Sequence, residues 1–235
     1  MKLIAAGVGP GDPELVTIKA LNAIHRADLI VIPHSGRGRS SVAESILGEH
    51  IHGKQTLRIV FPMTRDSKTR DEIIYDQLNE SRGKWSGVKD AVMPILGDAA
   101  LYSTAAYLFG VLRRFVPTVE LEIIPGVSAH SLASASAGKF LAMDDEILAI
   151  VPGTAGRERV VGMLVNCDVA AIFKPSALKD DLRDIVSLSG PWERIIRVNR
   201  AGLPGERLSE GDSALEDADE YLSTLLLWRN DHAIL

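Results

Sequence analysis

Three glycine-rich segments of the chain each follow a predicted strand, and each could hold a ligand with backbone atoms. They are residues 7–13 (GVGPGDP), 95–103 (ILGDAALYS) and 123–129 (IIPGVSA). Glycine allows positive φ angles and lets a ligand approach the backbone closely. In open α/β sheets, ligands bind just beyond the carboxyl ends of the strands. We therefore predict that these segments form a ligand site.

The first segment departs from the dinucleotide-binding fingerprint of NAD-dependent enzymes. The third glycine of that fingerprint would fall at Asp12, and Pro10 lacks the N–H group that a phosphate turn needs. Asp28 lies before the second predicted strand, whereas the ribose-binding acidic residue belongs at the end of that strand. These departures disfavour an NAD-dependent oxidoreductase.

Two other short patterns resemble ligand motifs but lack essential residues. Residues 138–140 (GKF) look like the end of a phosphate loop. However, Ala133 stands in place of the first glycine of that motif, and phenylalanine stands in place of its serine or threonine. His50 and His52 have chelate-like spacing, yet no cysteine or third histidine is nearby in the sequence. We expect no protein-bound metal.

The apolar pattern predicts an α/β fold, because short runs rich in valine and isoleucine alternate with segments of helical period. The predicted strands of the first half are residues 2–8, 29–33, 57–61 and 88–96. None alternates between apolar and polar residues, which is typical of parallel strands covered by helices on both faces. Thr17 can cap a helix that ends near Arg26, and apolar spacing marks another helix over residues 105–112.

A proline-containing stretch at residues 115–118 ends this helical pattern and predicts a boundary between two domains, residues 1–116 and 117–235. The second half repeats the alternation of strands and helices. Its first predicted strand ends near Ile124, and the others span residues 147–151, 169–173, 195–200 and 221–229. Helices are predicted after Gly126 and Gly156. A polar loop is expected over residues 202–219. We predict a mainly parallel sheet in the first domain and a mixed sheet in the second.

The composition is that of an ordinary globular protein. Of its 235 residues, 46% are hydrophobic and 24% are charged, and the formal net charge is −5. This charge argues against a nucleic-acid-binding protein with a dominant basic surface. The longest apolar runs fall far short of a membrane span, and the single cysteine, Cys167, fits a reducing compartment. We expect a cytoplasmic protein that binds neither nucleic acid nor membranes.

The order of the glycine-rich segments resembles that of the tetrapyrrole methylases. In that family a GxGPGDP motif is followed by GD with an LYS-like stretch, and then by PGVS, as it is here. The resemblance spans nearly the whole chain. It implies the class III methyltransferase fold, in which two α/β domains hold S-adenosylmethionine in the cleft between them. It also implies a homodimer.

By position in these motifs, the resemblance assigns contacts with the methyl donor to residues of both domains. They are Pro10, Leu96, Gly97, Asp98, Leu101, Ser128, Ala129, Phe173 and Leu203. Backbone and apolar groups would make most of these contacts, in agreement with the many glycines of the motifs.

Four further stretches are similar to landmarks of the family members that methylate carbon 20 of precorrin-2 or cobalt-factor II. They are residues 32–35 (IPHS), 101–104 (LYST), 200–206 (RAGLPGE) and 221–226 (YLSTLL). The resemblance therefore implies an S-adenosylmethionine-dependent C-methyltransferase of cobalamin biosynthesis. Two alternatives remain: a sister methylase acting at another ring position, such as carbon 11 or 17, and a non-catalytic tetrapyrrole carrier.

Methyl transfer from a sulfonium to a ring carbon is an in-line displacement, which needs few catalytic side chains. The ring carbon must also lose a proton, and Asp98 is the predicted base because it ends a strand within the donor motif. The alternative is that Asp98 only organises the turn through hydrogen bonds. Tyr102 is the second predicted catalytic residue, and it and Ser103 could hydrogen-bond the substrate.

The implied substrate carries many carboxylates, so an acidic protein needs local cationic groups to bind it. Arg37 and Arg39 lie in a glycine-rich loop after the second predicted strand, with His34 beside them. Lys174 lies at the end of a strand in the second domain. We predict that these four residues, together with Ser103, bind the substrate.

Overall fold

The computed structural model describes residues 1–34, 36, 41–64, 66–216 and 220–230 of the chain. The chain forms two compact units, Met1–Ser128 and Ala129–Leu235. Each unit contains one five-stranded sheet and several helices, which confirms the predicted α/β class. Within the described ranges, no helix combines the length and the apolar character needed to cross a membrane.

All strand pairs that the structure describes in the sheet of the first unit are parallel. Its strands are β1 (Lys2–Gly7), β2 (Leu29–His34), β3 (Thr56–Val60), β4 (Asp90–Ile95) and β5 (Glu120–Ile124), in the order β3-β2-β4-β1-β5. In register, Lys2 at the start of β1 lies beside both Asp90 and Glu120. The carboxyl ends of the three strands therefore meet at one edge of the sheet.

Helices cover both faces of this sheet. They are α1 (Ile18–Arg26), α2 (Val42–Leu47), α3 (Ser67–Glu80), α4 (Arg82–Trp85) and α5 (Ala105–Leu112), with 3-10 turns at Pro13–Leu15 and Gly48–Ile51. Thr17 caps α1 through its side chain, as predicted. Along β1, Leu3 and Ala5 pack into the core with α3, α4 and α5, whereas Ile4 and Ala6 pack into the core with α1 and α2. This is the alternation expected of a strand buried on both faces.

The 14-residue helix α3 is not among the predicted elements. Its buried residues are Ile74 and Leu78, so its apolar periodicity is weak. The helix begins after Asp66, whose carboxylate accepts two backbone N–H groups of the first turn. The Gln77 amide bonds to both backbone polar groups of Val60, at 2.7 and 2.9 Å, and holds α3 against β3.

The second unit has a mixed sheet. Its strands are β6 (Leu148–Pro152), β7 (Val169–Phe173), β8 (Arg194–Asn199), β9 (Arg207–Glu210) and β10 (Ser223–Trp228), in the order β6-β7-β10-β8-β9. β6 and β7 are parallel, β10 is antiparallel to β7 and β8, and β9 is antiparallel to β8. The helices are α6 (Ala129–Ser136), α7 (Arg157–Leu164), α8 (Asp181–Ser189) and α9 (Ser213–Glu216), with 3-10 turns at Gly153–Ala155 and Pro175–Leu178.

Two apolar cores stabilise the second unit, one on each face of its sheet. On one face, α6 covers Ala171 and Leu226, and on the other, α7, α8 and α9 cover Ile172 and Leu225. Cys167 lies in the second of these cores, and burial raises the pKa of its thiol.

The boundary between the compact units differs from the predicted one after residue 116. The structure divides the chain after Ser128, because β5 completes the first sheet. β5 pairs with β1 along its whole length, from Glu120 beside Lys2 to Ile124 beside Ala6. A proline ends a helix for local steric reasons. It carries no information about which sheet the next strand joins.

The segment predicted as a polar loop, residues 202–219, contains β9 and α9. β9 pairs with β8, with Leu208 beside Val198. Three of the four residues of this edge strand are exposed, so it lacks the apolar run that identifies a buried strand. The expectation of a continuous loop was therefore wrong.

Asp28 joins the start of β2 to the start of β4. Its Oδ2 accepts the backbone N–H groups of Asp90 and Lys89 at 2.9 and 3.1 Å, and these hydrogen bonds lower the pKa of the carboxyl. The charged form of Asp28 is thus favoured in the folded state. The contribution of this carboxylate to the stability of the fold is present above the usual aspartate pKa of about 3.9 and is lost as the pH falls below that value.

We expect Asp28→Asn to lower the free energy of unfolding at neutral pH. The variant should also lose less stability than the native protein between about pH 5 and pH 3. Urea denaturation at a series of pH values measures both effects. Asp76→Asn, on an exposed position of α3, is the control and should keep the native pH dependence. Equal pH dependence in the native protein and Asp28→Asn would contradict this assignment.

Candidate active site

The carboxyl ends of β1 and β4 lie side by side, with Gly7 beside Ile95. The chain leaving β1 passes over one face of the sheet through α1, and the chain leaving β4 passes over the other face through α5. Connections that leave adjacent strands toward opposite faces open a crevice at the strand ends. Doubly wound sheets bind their ligands at such points.

Three glycines at this edge pack backbone against backbone. A Cβ on Gly126 would lie 2.5 Å from Gly97 O and 2.8 Å from the carbonyl carbon of Gly7, and a Cβ on Gly7 would lie 2.6 Å from Gly126 N. These distances are well inside van der Waals contact, so larger residues do not fit. The packing brings together the three segments that the sequence predicted as ligand loops.

A pair of hydrogen bonds joins the first two of these loops. Gly97 N donates to Gly9 O at 2.7 Å, and Gly9 N donates to Gly97 O at 3.3 Å. Both residues have positive φ angles, 75° at Gly9 and 77° at Gly97. The backbone geometry of the paired turns therefore favours glycine at both positions.

Asp98 joins the loop after β4 to the loop after β5. Its Oδ1 accepts the backbone N–H of Ala100 at 3.0 Å and that of Gly126 at 3.2 Å. One carboxylate oxygen thus accepts hydrogen bonds from two backbone N–H groups. The side chain of Asp98 is only partly buried. This is the geometry of a residue that organises the turn. The role of Asp98 as a general base stays a prediction.

Leu101, Tyr102 and Ser103 form the connection from this turn to α5. The backbone N–H of Leu101 donates to Asp98 O at 3.2 Å, and Ser103 Oγ accepts the N–H of Ala105 at the start of α5. Tyr102 has a φ of 50° and is 53% exposed. Ser103 therefore supports the helix start, while Tyr102 presents much of its surface to solvent near the crevice.

Other predicted donor residues of the first unit lie on the same three loops. Pro10 and Ser128 are buried, and Leu96 packs, partly buried, against the core that contains α1 and α2. The hydrogen bonds and close packing described above join the loops that carry all six predicted donor residues of this unit: Pro10, Leu96, Gly97, Asp98, Leu101 and Ser128. Their contacts with a donor stay predictions.

His34 ends β2, which pairs with β4. Its Nδ1 accepts the backbone N–H of Gly36 at 3.1 Å. The proton of the neutral ring is therefore on Nε2, which can donate to an anion. Arg37 and Arg39, the predicted neighbours in substrate binding, lie outside the described residues, and their role stays a prediction.

An ion pair lies near His34. The guanidinium of Arg58 donates to both carboxylate oxygens of Glu44, at 2.6 and 2.7 Å. The hydrogen bond from Arg58 is the largest cause that lowers the pKa of Glu44. Glu44 therefore stays ionised, and its negative charge is compensated by the guanidinium of Arg58.

In the second unit, two of the predicted donor residues lie on neighbouring elements. Ala129 begins α6, and the next residue, His130, packs edge-on against Phe173 with ring centroids 5.8 Å apart. Phe173 is the last residue of β7 and pairs with Thr224 of β10. The first turn of α6 therefore packs against the end of β7.

Lys174 directly follows β7 and adopts a left-handed conformation. Its ammonium lies 5.4 Å from the centroid of the Tyr221 ring. No ligand-binding or positioning role for Tyr221 was predicted from the sequence. The local pattern does not indicate that the segment before β10 contacts the end of β7.

Leu203 lies in a tight turn between β8 and β9. Its N–H donates to Arg200 O at 2.8 Å, and Arg200 Nε donates to Pro204 O at 2.9 Å. The N–H of Gly202 donates to the Glu206 carboxylate at 2.6 Å. These hydrogen bonds close the turn on itself, and the predicted donor contact of Leu203 stays a prediction.

Within the part of the chain that the structure describes, no group of three or more His, Cys, Asp or Glu side chains is arranged to hold a metal ion. His50 contacts His25, with Nδ1 of the former 3.3 Å from Nε2 of the latter. The sequence pattern did not indicate this pair, because it is formed by the packing of α1 against the 3-10 turn Gly48–Ile51.

Comparison with known proteins identifies the family. Residues 2–215 match the family model described as tetrapyrrole (corrin/porphyrin) methylases. The chain is 30% identical over 232 residues to a probable cobalt-precorrin-2 C(20)-methyltransferase of Methanocaldococcus jannaschii, covering 97% of this chain and 96% of the relative. It is 26% identical over 246 residues to a precorrin-2 C(20)-methyltransferase of a Sinorhizobium species, covering 97% and 96%.

The fold is similar to that of a solved structure, the uroporphyrin-III C-methyltransferase of Thermus thermophilus complexed with S-adenosylhomocysteine. The TM-score is 0.69 at 19% sequence identity, and the match covers 97% of each chain. This likeness concerns the fold, whereas the family match and the relatives concern the sequence over almost its full length. From its motifs, its fold and these matches, the chain belongs to the tetrapyrrole (corrin/porphyrin) methylase family.

Proposed function

We propose that this protein transfers a methyl group from S-adenosylmethionine to carbon 20 of precorrin-2, or of a cobalt-containing counterpart such as cobalt-factor II, in cobalamin biosynthesis. The observation that carries the proposal is the near full-length similarity to two relatives named for methylation at carbon 20. Their names do not favour the alternative of a sister methylase acting at carbon 11 or 17.

The loops at the ends of β1, β4 and β5 fit the chemistry of the donor. S-adenosylmethionine supplies an electrophilic methyl group, and it offers polar amino-acid and ribose groups and a flat adenine ring for binding. Gly97 and Asp98 would hold its polar groups, and Leu96 and Leu101 would pack against the face of the adenine ring. The carboxylate of Asp98 is partly buried, and its negative charge would favour a cationic donor in the proposed site.

The first unit contributes to the reaction mainly by positioning. In-line transfer is fastest when the nucleophile, the methyl group and the leaving sulfur are held collinear and water is excluded. The backbone packing of Gly7, Gly97 and Gly126 holds the loops in one arrangement. Asp98 supports that arrangement through Oδ1, so we assign it to the organisation of the turn, with general-base catalysis as the alternative.

Cationic and hydrogen-bonding side chains would bind the carboxylates of the ring. His34 can donate from Nε2, because its Nδ1 accepts the Gly36 N–H. Lys174 offers an ammonium group held against an aromatic ring. Arg37 and Arg39, with Tyr102 and Ser103 as hydrogen-bonding partners, complete the proposed substrate set. The predicted homodimer and the predicted cytoplasmic location are further parts of this proposal and rest on the family resemblance and the single cysteine.

The test is mass spectrometry of the tetrapyrrole after incubation with the protein and S-adenosylmethionine, with precorrin-2 and cobalt-factor II in parallel reactions. We expect one added methyl group on at least one ring, and the preferred ring identifies the metal state of the substrate. A ¹³C-labelled methyl group then locates the product carbon by NMR. A label at another carbon would favour a sister methylase, and no added methyl on either ring would overturn the proposal.

A second measurement separates an enzyme from a tetrapyrrole carrier. A ligand that binds only the folded state raises the unfolding temperature, and the shift grows with the logarithm of ligand concentration above the Kd. We expect S-adenosylhomocysteine to stabilise the protein against heat, whereas a carrier without a donor site would show no shift. Adenosine at the same concentration is the matched control for weak nucleoside binding.

A further inference from the structure

Lys174 has an unusual backbone conformation for a lysine. It adopts φ 52° and ψ 52°, in the left-handed region that residues other than glycine, asparagine and aspartate seldom occupy. Lys174 also precedes Pro175, and a residue before proline favours extended conformations. Residues in such conformations cluster at functional sites, because the surrounding structure must enforce them.

The surrounding structure does hold this backbone on both sides. The carbonyl oxygen of Lys174 accepts the N–H of Ala177 at 3.0 Å, in the 3-10 turn that follows. A Cβ on Gly153, after β6, would lie 2.5 Å from the same oxygen, so only glycine fits there. The backbone of Lys174 is thus fixed between two neighbouring strand ends.

Tyr221 restrains the side chain of Lys174. The Lys174 ammonium lies 5.4 Å from the centroid of the Tyr221 ring, within the range of a cation–π contact. The two residues meet because β7 and β10 are antiparallel neighbours, with Phe173 beside Thr224. Both Lys174 and Tyr221 remain partly exposed to solvent.

An aromatic ring holds a cation without neutralising it. A carboxylate partner would pair with the ammonium and compete with any incoming anion. None of the ion pairs formed among the described residues includes Lys174. Within the described ranges, the backbone and the aromatic ring therefore place this charge, and neither of them neutralises it.

We propose that Tyr221 is a positioning residue that holds the Lys174 ammonium for a carboxylate of the tetrapyrrole substrate. This inference rests on the proposed function and deepens it, because it assigns one substrate contact to a specific pair of side chains. The carboxylate of the methyl donor offers the same chemistry. The experiment therefore measures the affinity for each ligand separately.

The experiment compares four variants of the full-length protein: Tyr221→Phe, Tyr221→Leu, Lys174→Met and the double variant Lys174→Met/Tyr221→Leu. Tyr221→Phe keeps the ring, so its KM for the tetrapyrrole should stay close to native. Tyr221→Leu should raise that KM about threefold, and Lys174→Met about tenfold or more. In both, kcat and the KM for the donor should be unchanged. The double variant should be no worse than Lys174→Met alone, because Tyr221 acts through the lysine.

Tyr107→Leu is the matched control. Tyr107 is a tyrosine of similar exposure, 41% against 44% for Tyr221, and it also stacks with a cation, with Arg70 3.7 Å from its ring centroid. We expect its tetrapyrrole KM to be native. Four results would each overturn the inference. Two are an equal rise in tetrapyrrole KM for Tyr107→Leu and Tyr221→Leu, and a double variant whose KM shows the two single effects added together. The others are a KM for Tyr221→Phe as high as that for Tyr221→Leu, and a loss of affinity for the donor instead of the tetrapyrrole.

Direct binding separates a failure of this inference from a failure of the proposed function. Titration of the protein with tetrapyrrole in the presence of S-adenosylhomocysteine, followed by the absorbance of the ring, requires no turnover. If the native protein binds the ring but does not methylate it, the proposed function fails while the order of affinities among the variants still tests Tyr221. If methylation occurs and the variants bind the ring equally well, only the inference about Tyr221 fails.

Discussion

Gly126→Ala is expected to destabilise the first unit by about 1–3 kcal/mol and to weaken the binding of S-adenosylhomocysteine by about tenfold or more. The new methyl group would lie 2.5 Å from Gly97 O and 2.8 Å from the carbonyl carbon of Gly7. Both are backbone atoms at strand ends, so neither can move without displacing a loop of the crevice. Urea denaturation and calorimetric titration measure the two effects.

Gly162→Ala is the control, because it makes the same substitution at a helical position where the added methyl group causes no clash. Gly162 lies inside α7, and a Cβ there would meet no atom within 4 Å. We expect this variant to gain about 0.5–1 kcal/mol of stability, with native ligand affinity. If Gly126→Ala bound S-adenosylhomocysteine with native affinity, the backbone contacts of the three glycines would have no part in the donor site.

Asp98→Asn is expected to keep methyl-transfer activity within about tenfold of native, whereas Asp98→Ala is expected to lose most of it. In the native protein, Asp98 Oδ1 accepts the N–H groups of Ala100 and Gly126. The amide oxygen of asparagine can accept the same two donors, although more weakly than a carboxylate, so kcat/KM should fall by less than about tenfold. Alanine leaves both donors without this acceptor, which costs about 1–3 kcal/mol.

The same two variants decide between the two roles of Asp98. Asparagine cannot accept a proton, and removal of a general base lowers kcat by about 100-fold or more. A loss of that size in Asp98→Asn, with native stability and native affinity for S-adenosylhomocysteine, would contradict the turn-organising role and assign the base. Asp66→Asn is the matched control, because Asp66 also accepts two backbone N–H groups but begins α3. Its kcat should be native.

Most of the buried strands were predictable because their signal is local. The predicted bounds of β1, β2, β3, β4, β6, β7, β8 and β10 agree with the structure to within about two residues. A strand covered on both faces must be a short apolar run, and such a run is visible without knowledge of its neighbours. The exposed strand β9 and the mostly polar helix α3 carry no comparable signal, since solvent accepts polar residues at most of their positions.

The candidate site was predictable only as separate pieces. The glycines at positions 7, 97 and 126 were recognised because turns after strands and close approaches require them. The Asp98 contact with Gly126 was not predictable, because it joins two loops through the neighbouring positions of β1, β4 and β5 in the sheet. Assignment of β5 to the first sheet likewise depends on strand order, which local residue patterns do not encode.

The sequence by itself therefore determined the α/β class, most of the buried strands, the cap of α1 at Thr17 and the family to which the motifs belong. Each of these depends on residues close together in the chain. Only the tertiary structure decided that Gly126 packs on Gly7 and that Lys174 stacks on Tyr221. Such contacts join residues far apart in the chain, and they form only once the order and direction of the strands have placed those residues side by side.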